Sequence, residues 1–550
     1  MPAPPSQASH RWNLSALLLT AGLIFAGITG SADGTGNHPQ NQKGLSMPAS
    51  RNASLKAATA VSYLAFGAKG DGVTDDCRAI AAAHDYANQH GLPVQADSGK
   101  TFYIGGNGPS IIIKTDTDFG SARFLIDDRA VQNRSANVFQ VESQLQPFQP
   151  EGISSLHRNQ SELGITLPCD CLITVNNANI KRYIRFGLNQ NTGSAQTDIF
   201  LADRQGRIDP ETPIVWDFPE ITSITALPLD STTLTLRGGH FTTIANAEES
   251  KYNYYARGIA ICRSKVLVEN LRHEVSGEGE HGAPYSGFLY LNRCAEVVIR
   301  DTVLTGRRTY WTTGAIGKPV NMGSYDISAK QAVKVSLLNC SQTNDINDRQ
   351  YWGIFASNFC KKLVFDGCTL SRFDAHQGVA NASIRNSTLG YMGINAIGCG
   401  TLTVENSTIH ASRLINLRAD YGSTWQGEFI IRNCVFAPPE WVRHCATLIG
   451  GSYSGQHDFG YPCSMPARIT IDGLQIRDGD APDNYAGPAI FADFNPEHRS
   501  AEYKEKYPLA ITREVGLRNI RCDSGKPLRL SDNLYMFREV KVIPPLAGQQ

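Results

Sequence analysis

The stretch SRFDAHQGV, residues 371–379, contains an aspartate and a histidine two positions apart, Asp374 and His376. An imidazole can exchange a proton near neutral pH, and a neighbouring carboxylate can orient the ring for that exchange. The same pair also fits a polar turn, because aspartate side chains bond readily to nearby backbone groups. The choice between catalysis and a structural turn depends on the residues that other segments bring beside this one.

Two columns of polar residues follow the ends of successive predicted strands at nearly equal offsets. The first column, six or seven positions after a strand end, contains Arg308, Asp345 and Asp374. The second column, nine positions after a strand end, contains Asp348, His376 and Asn395. Neighbouring strands lie about 4.8 Å apart, so side chains of one column on adjacent strands can touch. We therefore predict one polar patch with these catalytic residues: Asp374, His376, Asp345 and Asp348.

Cations, an amide and aromatic rings near this patch suit an acidic sugar. Arginine binds carboxylates through paired hydrogen bonds, and aromatic rings beside arginine suit stacking against a sugar. The predicted substrate-binding residues are Arg308, Arg349, Arg372, Asn395, Arg418, Tyr421 and Trp425. A Ca²⁺ ion could neutralise a sugar carboxylate in the same way, and the sequence does not identify ligands for it.

Two reactions are compatible with such a patch. Removal of a proton next to a carboxylate needs a cation to neutralise that carboxylate and a base to accept the proton. In this reaction His376 transfers the proton and Asp374 orients the His376 ring. Arg308 or Arg349 neutralises the sugar carboxylate. Hydrolysis with inversion instead needs a carboxylic acid and a carboxylate about 6.5–9.5 Å apart, which the clustered aspartates could supply.

The bulk composition limits the classes of partner. The chain has 550 residues, with 51 basic and 51 acidic side chains and a pI near 7.2. This balance argues against nucleic acid as a partner, because nucleic-acid binding favours a basic surface. It also provides no long-range field, so an acidic substrate must be bound by local arginines and lysines.

The N-terminus predicts export. Arg11 precedes an apolar stretch at 14–28, and the small residues at 30–32 suit cleavage. This order is typical of a secretory signal peptide, and the stretch is shorter than the roughly 20 residues of a membrane helix. We predict a signal peptide at 1–32, a linker at 33–57, no membrane span after cleavage, and a secreted or periplasmic protein.

A short pattern of β-branched or apolar residues followed by Asn, Asp or Gly recurs nine times along the chain. Its copies are VLVEN (266–270), VVIRD (297–301), VSLLN (335–339), LVFDG (363–367), ASIRN (382–386), LTVEN (402–406), FIIRN (429–433), ITIDG (469–473) and VGLRN (515–519). The repetition predicts stacked coils of a parallel β-helix, in which each coil buries its apolar face against its neighbours. We expect Asn339, Asn386, Asn406 and Asn433 to form one column, and Cys340, Cys368 and Cys434 to pack as small buried residues.

The regions outside the repeats predict further parts of the molecule. Glycines and capping residues at 66–76 precede a short alanine-rich helix, and we predict an N-terminal cap at 58–110. The first part of the solenoid follows at 111–149. Longer strands with hairpin signals predict an inserted antiparallel β module at 150–238. The main parallel β-helix and the C-terminal end occupy 239–550.

The sequence FGAKGDGVTDD at 66–76, with the helix and strand that follow it, resembles the N-terminal cap of the pectate-lyase-like right-handed parallel β-helix proteins. That group includes polysaccharide lyases, polygalacturonase-like hydrolases, mannuronan C5-epimerases and phage tailspikes. The resemblance implies an all-β fold, a right-handed parallel β-helix with an N-terminal helical cap. It indicates the fold rather than the reaction, because this motif builds the cap and not a site.

The sequence FDAH at 373–376 is similar to the F-D-x-H element in the catalytic coil of mannuronan C5-epimerases. The resemblance implies that Asp374 and His376 handle the C5 proton of a uronic acid. That family has a proline where Ala375 stands and a tyrosine where Ser371 stands. The sequence does not choose among the tyrosines that could substitute, which are Tyr325, Tyr351 and Tyr391.

Together these patterns predict an exported polysaccharide lyase that acts by β-elimination on a uronic-acid-containing glycan. The alternatives are a polygalacturonase-like glycoside hydrolase with paired aspartates, a C5-epimerase, and a non-catalytic carbohydrate-binding β-helix protein. A monomer and a homotrimer both fit the fold. The sequence does not identify the sugar, its linkage, or a need for Ca²⁺.

Overall fold

The computed structural model describes residues 59–249, 254–280 and 282–546. The predicted signal peptide and linker lie outside these residues. Within them the helical segments are α1 (Cys77–His90), α2 (Glu440–Arg443) and two short 3-10 turns at Leu64–Phe66 and Ala419–Tyr421.

The strands of the cap, the first coils and the inserted module occupy the N-terminal part of the chain. In the cap and first coils they are β1 (Asp71–Asp75), β2 (Val94–Gln95), β3 (Thr101–Ile104), β4 (Ile111–Ile113), β5 (Thr117–Asp127) and β6 (Phe139–Glu142). In the inserted module they are β7 (Cys171–Arg182), β8 (Ser194–Ala202) and β9 (Ser223–Pro228).

The strands of the main solenoid follow the module in chain order. The first group is β10 (Leu234–Ile244), β11 (Ile259–Cys262), β12 (Val266–Glu269), β13 (Arg272–Ser276), β14 (Leu289–Arg300), β15 (Val303–Leu304), β16 (Tyr310–Thr313), β17 (Pro319–Met322), β18 (Ile327–Leu338), β19 (Ser341–Gln342), β20 (Phe355–Asp366) and β21 (Thr369–Arg385). The second group is β22 (Thr388–Ala396), β23 (Gly398–Glu405), β24 (Thr408–Ile409), β25 (Arg413–Leu417), β26 (Trp425–Phe436), β27 (Thr447–Gly450), β28 (Cys463–Ser464), β29 (Arg468–Ile476), β30 (Ala489–Phe491), β31 (Leu509–Ala510), β32 (Glu514–Cys522) and β33 (Lys541–Ile543).

The N-terminal cap closes the first coil of the solenoid. Helix α1 places its apolar side chains against β4 and ends at Gly91, whose φ of 64° is left-handed. The carboxylate of Asp76 accepts hydrogen bonds from the backbone N–H groups of Lys69 and Gly70 at 2.6 and 3.0 Å. Asp76 therefore holds the glycine turn that leads into the helix, and the cap shields apolar residues that a bare first coil would expose to water.

The repeated sequence pattern corresponds to one continuous parallel sheet. The first residues of all nine copies pair in order across successive coils, and this column is Val266, Val297, Val335, Leu363, Ala382, Leu402, Phe429, Ile469 and Val515. Every member of the column is buried. The predicted all-β parallel β-helix is confirmed, because apolar side chains from neighbouring coils stack into one core along the axis.

The Asn, Asp or Gly at the end of each copy turns the chain. All nine of these positions have a left-handed backbone, with φ between 47° and 77°, and they are Asn270, Asp301, Asn339, Gly367, Asn386, Asn406, Asn433, Gly473 and Asn519. Asparagine, aspartate and glycine tolerate this conformation better than other residues do. The predicted amide column is present in part. Asn406 Nδ2 donates to Asn386 Oδ1 at 3.3 Å, whereas Asn386 Nδ2 donates to Asp366 Oδ1 at 2.7 Å and Asn339 Nδ2 donates to Asp301 Oδ1 at 3.3 Å.

The cysteines contribute to packing rather than to cross-links. All 13 cysteines lie in the described part of the chain, and all are free thiols. Cys340, Cys368 and Cys434 are buried. The Sγ atoms of the first two lie 3.4 Å and 3.3 Å from backbone oxygens of the preceding coil, those of Ile299 and Leu337. They pack along the axis as the sequence predicted.

The inserted module is a three-stranded antiparallel sheet in which β7 pairs with both β8 and β9. The solenoid resumes at β10, which pairs in parallel with β5. The β-helix therefore restarts a few residues before 238, the predicted end of the inserted module. Ion pairs hold the module against the helix wall, from Lys361 to Asp198 at 2.5 Å and from Lys334 to Asp209 at 2.6 Å. The module is therefore fixed beside the coils that carry FDAH.

Candidate functional site

The conformation of β21 directs His376 away from the regular strand. Ser357 of β20 pairs with Ala375, and the next residue, Asn358, pairs with Gln377. His376 is therefore the extra residue of a β-bulge, whereas Asp374 pairs regularly with Asn395 of the following coil. Bulges of this kind redirect a side chain and are common beside active sites.

Asp374 is a fully buried carboxylate held by three donors. Its Oδ1 lies 2.7 Å from a guanidinium nitrogen of Arg418, and its Oδ2 lies 2.7 Å from one of Arg372. The hydroxyl of Tyr325 donates to the same Oδ2 at 2.8 Å. Burial by itself raises the pKa of Asp374, but the two guanidinium groups outweigh burial and hold the pKa well below its ordinary value. Asp374 is a permanent negative charge.

The charge network continues beyond Arg418. Its Nε and a second nitrogen donate to the two oxygens of Asp420 at 3.1 and 2.8 Å. Arg185, from the inserted module, also binds Asp420, with its Nε 2.9 Å from Oδ2. Burial raises the pKa of Asp420, yet Arg418 and then Arg185 lower it below its ordinary value. The network Arg372–Asp374–Arg418–Asp420–Arg185 thus has an excess of positive charge.

His376 is neutral, and one of its ring nitrogens has a hydrogen-bond partner among the described residues. Its Nδ1 lies 2.9 Å from Oδ1 of Asn358, so an Nδ1–H that donates to this oxygen leaves the Nε2 lone pair as the proton acceptor. Burial, followed by the positive charge of Arg418, lowers the pKa of His376 to about 3. Asn358 orients the ring directly, and Asp374 affects His376 only through its charge.

These groups line an open cleft of about 510 Å³, which we call the arginine cleft. Its charged and titratable lining residues are Arg185, Tyr254, Tyr285, Tyr290, Tyr325, Lys330, Arg372, His376 and Arg418. None of the lining residues, taken from the described part of the chain, is an aspartate or a glutamate. Asn189 of the module and residues 320–323 at the end of the β16–β17 hairpin form further parts of the wall.

Asp345 and Asp348 lie in the loop between β19 and β20 and do not line the arginine cleft. Asp345 Oδ1 accepts the backbone N–H of Asn347, and Asp348 Oδ1 accepts that of Gln350, each at 2.9 Å. These are local turn contacts of the kind that aspartates commonly make. The predicted patch of four catalytic residues is therefore not assembled, because the loop from 343 to 354 displaces both aspartates from the column of Asp374.

Of the predicted substrate-binding residues, Arg372 and Arg418 line the arginine cleft and five others do not. The guanidinium of Arg308 packs on Tyr351 and that of Arg349 on Trp441. Asn395 uses its amide within the wall, where it accepts from Asn416 at 3.0 Å.

The two predicted aromatic subsite residues are buried. Tyr421 is 0% exposed and meets the His376 ring edge to face, with 5.5 Å between ring centroids. Trp425 is also 0% exposed, and its Nε1 donates to the backbone oxygen of Gly400 at 2.9 Å. Neither ring can stack on a bound sugar. Trp425 is a core residue, and Tyr421 supports the imidazole from behind.

Three cleft residues were not recognised as part of a site from sequence, and a fourth was left open among three tyrosines. Arg185 arrives from a module that the sequence gives no reason to place beside FDAH. Lys330 and Asn358 lie on β18 and β20 and contact the site only through the coil register. Tyr325 is one of the three tyrosines that the sequence left open, and it alone of the three lines the arginine cleft.

A second acid–histidine arrangement lies elsewhere in the helix. His273 has Nδ1 2.9 Å from Asp326 and Nε2 2.9 Å from Thr243 Oγ1. All three side chains are 0–1% exposed, so no substrate can reach the hydroxyl. This triad is a buried polar network, in which Asp326 Oδ2 also accepts the backbone N–H of Thr305 at 2.9 Å.

Two further features, a metal-binding cluster and a membrane helix, are absent from the described residues. Within residues 59–249, 254–280 and 282–546, no group of three or more His, Cys, Asp or Glu side chains is arranged to hold a metal ion. In the same residues, no helix combines the length and apolar character that crossing a membrane requires.

Comparison with known proteins yields similarity at the level of the solved structures. No protein-family model and no curated protein matches the chain. The tailspike gp61 of Pseudomonas phage phi297 is 14% identical, with 88% of this chain and 84% of that chain covered and a TM-score of 0.49. The gp54 tailspike of Acinetobacter baumannii bacteriophage AP22, solved with a capsular saccharide, is 9% identical, with 92% and 82% covered and a TM-score of 0.47. The A-module of the Azotobacter vinelandii mannuronan C-5 epimerase AlgE6 is 9% identical, with 88% and 100% covered and a TM-score of 0.26. Similarity at this level transfers no function.

Proposed function

We propose that this protein is an exported enzyme that binds an acidic polysaccharide in the arginine cleft and removes the C5 proton of a uronic acid, with β-elimination as the outcome. The observation that carries the proposal is the lining of the cleft, which combines three arginines, one lysine and a neutral histidine with no carboxylate. Such a surface attracts an anion, and it presents no negative charge that would repel an acidic sugar.

Arg372 is the residue proposed to bind the sugar carboxylate. It lines the arginine cleft, and although one of its nitrogens pairs with Asp374, its buried Nε has no hydrogen-bond partner among the described residues. An unpaired buried donor is unfavourable, so a ligand oxygen that accepts from it gains affinity. Lys330 supplies a second cation on the same wall. Neutralising the carboxylate makes the adjacent C5 proton more acidic.

The proposed reaction uses His376 as the base. Its Nε2 takes the C5 proton, the C5–H electron pair forms the C4–C5 double bond, and the bond from C4 to the leaving glycosidic oxygen breaks. The leaving oxygen takes a proton from Tyr325 or from water, so the atoms and charges balance. Asp374 anchors Tyr325 and both arginines and stays ionised throughout, because the pKa of its carboxyl lies well below the ordinary value.

Epimerisation at C5 is the second candidate function. It shares the first step, and Tyr325 would then return a proton to the opposite face of C5. The observation that favours it is the tyrosine hydroxyl in the same cleft, which bonds to Asp374 at 2.8 Å. Hydrolysis by paired carboxylates is disfavoured, because Asp374 and Asp420 both have lowered pKa values and a general acid must hold a proton.

The test is turnover of a panel of uronic-acid glycans by the full chain and by His376→Ala. We expect the wild type to generate the absorbance of an unsaturated uronate and His376→Ala to lose about 10²–10⁴-fold in rate. Proton exchange at C5 without that absorbance would identify the epimerase. New reducing ends without it would identify a hydrolase, and retention without turnover would identify a binding protein.

Asp345→Asn and Asp348→Asn are the matched controls. Asparagine can keep the turn contacts that both aspartates make, and both residues lie outside the arginine cleft. Their rates should stay within about twofold of wild type. A large loss in either control, with His376→Ala active, would contradict the assignment. Asp374→Asn is unsuitable as a catalytic test, because removing one partner of a buried ion pair destabilises a protein by about 3–5 kcal/mol.

A further inference from the structure

A second cavity adjoins the arginine cleft along the solenoid wall. It has a volume of about 360 Å³ and shares Arg185, Asn189 and Val320 with the cleft as a common wall. Its other side includes Ser452, which follows β27, and Gly450 of β27 pairs with Asn416 of the preceding coil. The two spaces therefore follow each other along the axis and form one groove.

The charge of the second cavity differs from that of the cleft. Arg185 and Asp420 both line it, and they pair with each other at 2.8 and 2.9 Å. His457 has its Nε2 3.1 Å from the backbone oxygen of Ile184, so the ring can donate a hydrogen bond there. Among the described lining residues, the cavity has one arginine and one aspartate, and they pair with each other, whereas the cleft also has Lys330.

The second cavity also presents an aromatic surface. Phe186 is 50% exposed, and its ring lies 5.1 Å from that of His457, centroid to centroid. Tyr453 and Phe459 also line the cavity and are buried. An aromatic face beside hydroxyl groups suits a ring with an apolar face and polar edges, which is the character of an uncharged sugar.

We infer that the groove accepts a heteropolymer in which the uronate held in the arginine cleft is followed by a neutral sugar in the second cavity, stacked on Phe186. The inference rests on the proposed function and narrows its substrate class. A homopolymer of uronic acid would place a second carboxylate where the described lining has no arginine or lysine beyond Arg185, which already pairs with Asp420. Desolvating that carboxylate without a partner is unfavourable.

The test measures the affinity of the full chain for defined acidic polymers. The homopolymers are polygalacturonate and polymannuronate, and the alternating polymers are hyaluronan and unsulfated chondroitin, which pair a uronate with an uncharged N-acetylhexosamine. We expect an alternating polymer to bind at least about tenfold more tightly than either homopolymer. Equal or tighter binding of a homopolymer would overturn the inference.

Three variants separate this inference from the proposed function. Phe186→Ala should weaken the alternating polymer by about tenfold, which corresponds to one aromatic contact. Trp441→Ala, a control at another exposed aromatic outside both spaces, should change nothing. Ser452→Lys, at an exposed position of the cavity, should improve binding of the homopolymer.

The outcomes are distinguishable. Tight binding of an alternating polymer that is lost in Phe186→Ala, without turnover, supports the substrate class and contradicts the proposed reaction. Turnover with no difference between the polymers and no effect of Phe186→Ala supports the reaction and overturns the inference. Absence of binding to every acidic polymer contradicts both.

Discussion

Asp374 and His376 have separate partners. Asp374 binds Arg372, Arg418 and Tyr325, so it fixes the charge and position of three side chains. His376 binds Asn358 through Nδ1 and keeps Nε2 available. The ionised Asp374 thus positions the other side chains of the site, and the neutral His376 is proposed to accept the proton.

The acid limb of activity is predicted from the pKa of His376. In the free protein burial and then Arg418 lower this pKa to about 3. A bound uronate adds a negative charge that offsets the positive charge of Arg418, and this raises the pKa of His376 in the complex. The pH dependence of kcat reports pKa values in the complex, and that of kcat/KM reports those of the free protein. The acid limb of kcat should therefore lie about one pH unit or more above that of kcat/KM.

Both kcat and kcat/KM should fall as the pH is lowered through the pKa of His376, because only the neutral imidazole accepts a proton. The measurement is a pair of pH–rate profiles for kcat and kcat/KM. A kcat limb at the same or a lower pH would contradict the role of His376 as the base.

At the scale of elements, the bulge in β21 and the left-handed turn at each coil have different consequences. The bulge exposes one functional side chain, whereas the turns repeat the geometry that keeps all coils in register. Asn406 contributes to its turn in two ways. Its backbone is left-handed, with φ at 47°, and its Nδ2 donates a hydrogen bond to Asn386 Oδ1 at 3.3 Å.

Substitution of Asn406 should separate these two contributions. Asn406→Ala loses the hydrogen bond and places an alanine in a left-handed backbone, so we expect the free energy of unfolding to fall by about 2 kcal/mol. Asn406→Gly loses only the hydrogen bond and should cost about half as much. Urea unfolding measures both. Equal losses would mean that the backbone conformation contributes nothing.

At the scale of the whole molecule, the inserted module is joined to the strand that carries His376. Gly378 has φ at 65°, and a Cβ there would overlap the hydroxyl oxygen of Tyr183 in the module. Arg185, two residues after Tyr183, lines both the arginine cleft and the second cavity. Displacing the module should therefore disturb the site as well as the interface.

Gly378→Ala tests this connection. We expect lower turnover, greater protease sensitivity of the module and a loss of stability beyond the roughly 1–2 kcal/mol of a left-handed alanine. Gly164→Ala is the matched control, because Gly164 lies in the module with φ at 71° and no atom within 4 Å of an added Cβ. Equal behaviour of the two variants would show that contact at Gly378 does not couple the module to the site.

The cores of the coils were predictable because their periodicity is local. Each copy of the repeated pattern contains its own apolar residues and its own turn residue, so the nine starting residues could be aligned without knowledge of the loops. The two columns of polar residues were counted through turns of unequal length, and there the alignment failed. Asp345 and Asp348 lie in a loop outside the column of Asp374. Trp425, which was predicted from the composition of its own segment and not from a column, lies in the core.

The sequence by itself determined the parallel solenoid, its cap and the segment that contains Asp374 and His376, because these depend on short patterns along the chain. Only the tertiary structure decided which side chains meet there. Arg185, Tyr325, Asn358 and Arg418 come from four separate segments, and a bulge of one residue turns His376 toward them. Contacts between distant segments depend on loop lengths and on the docking of the module, and no local pattern of residues specifies either.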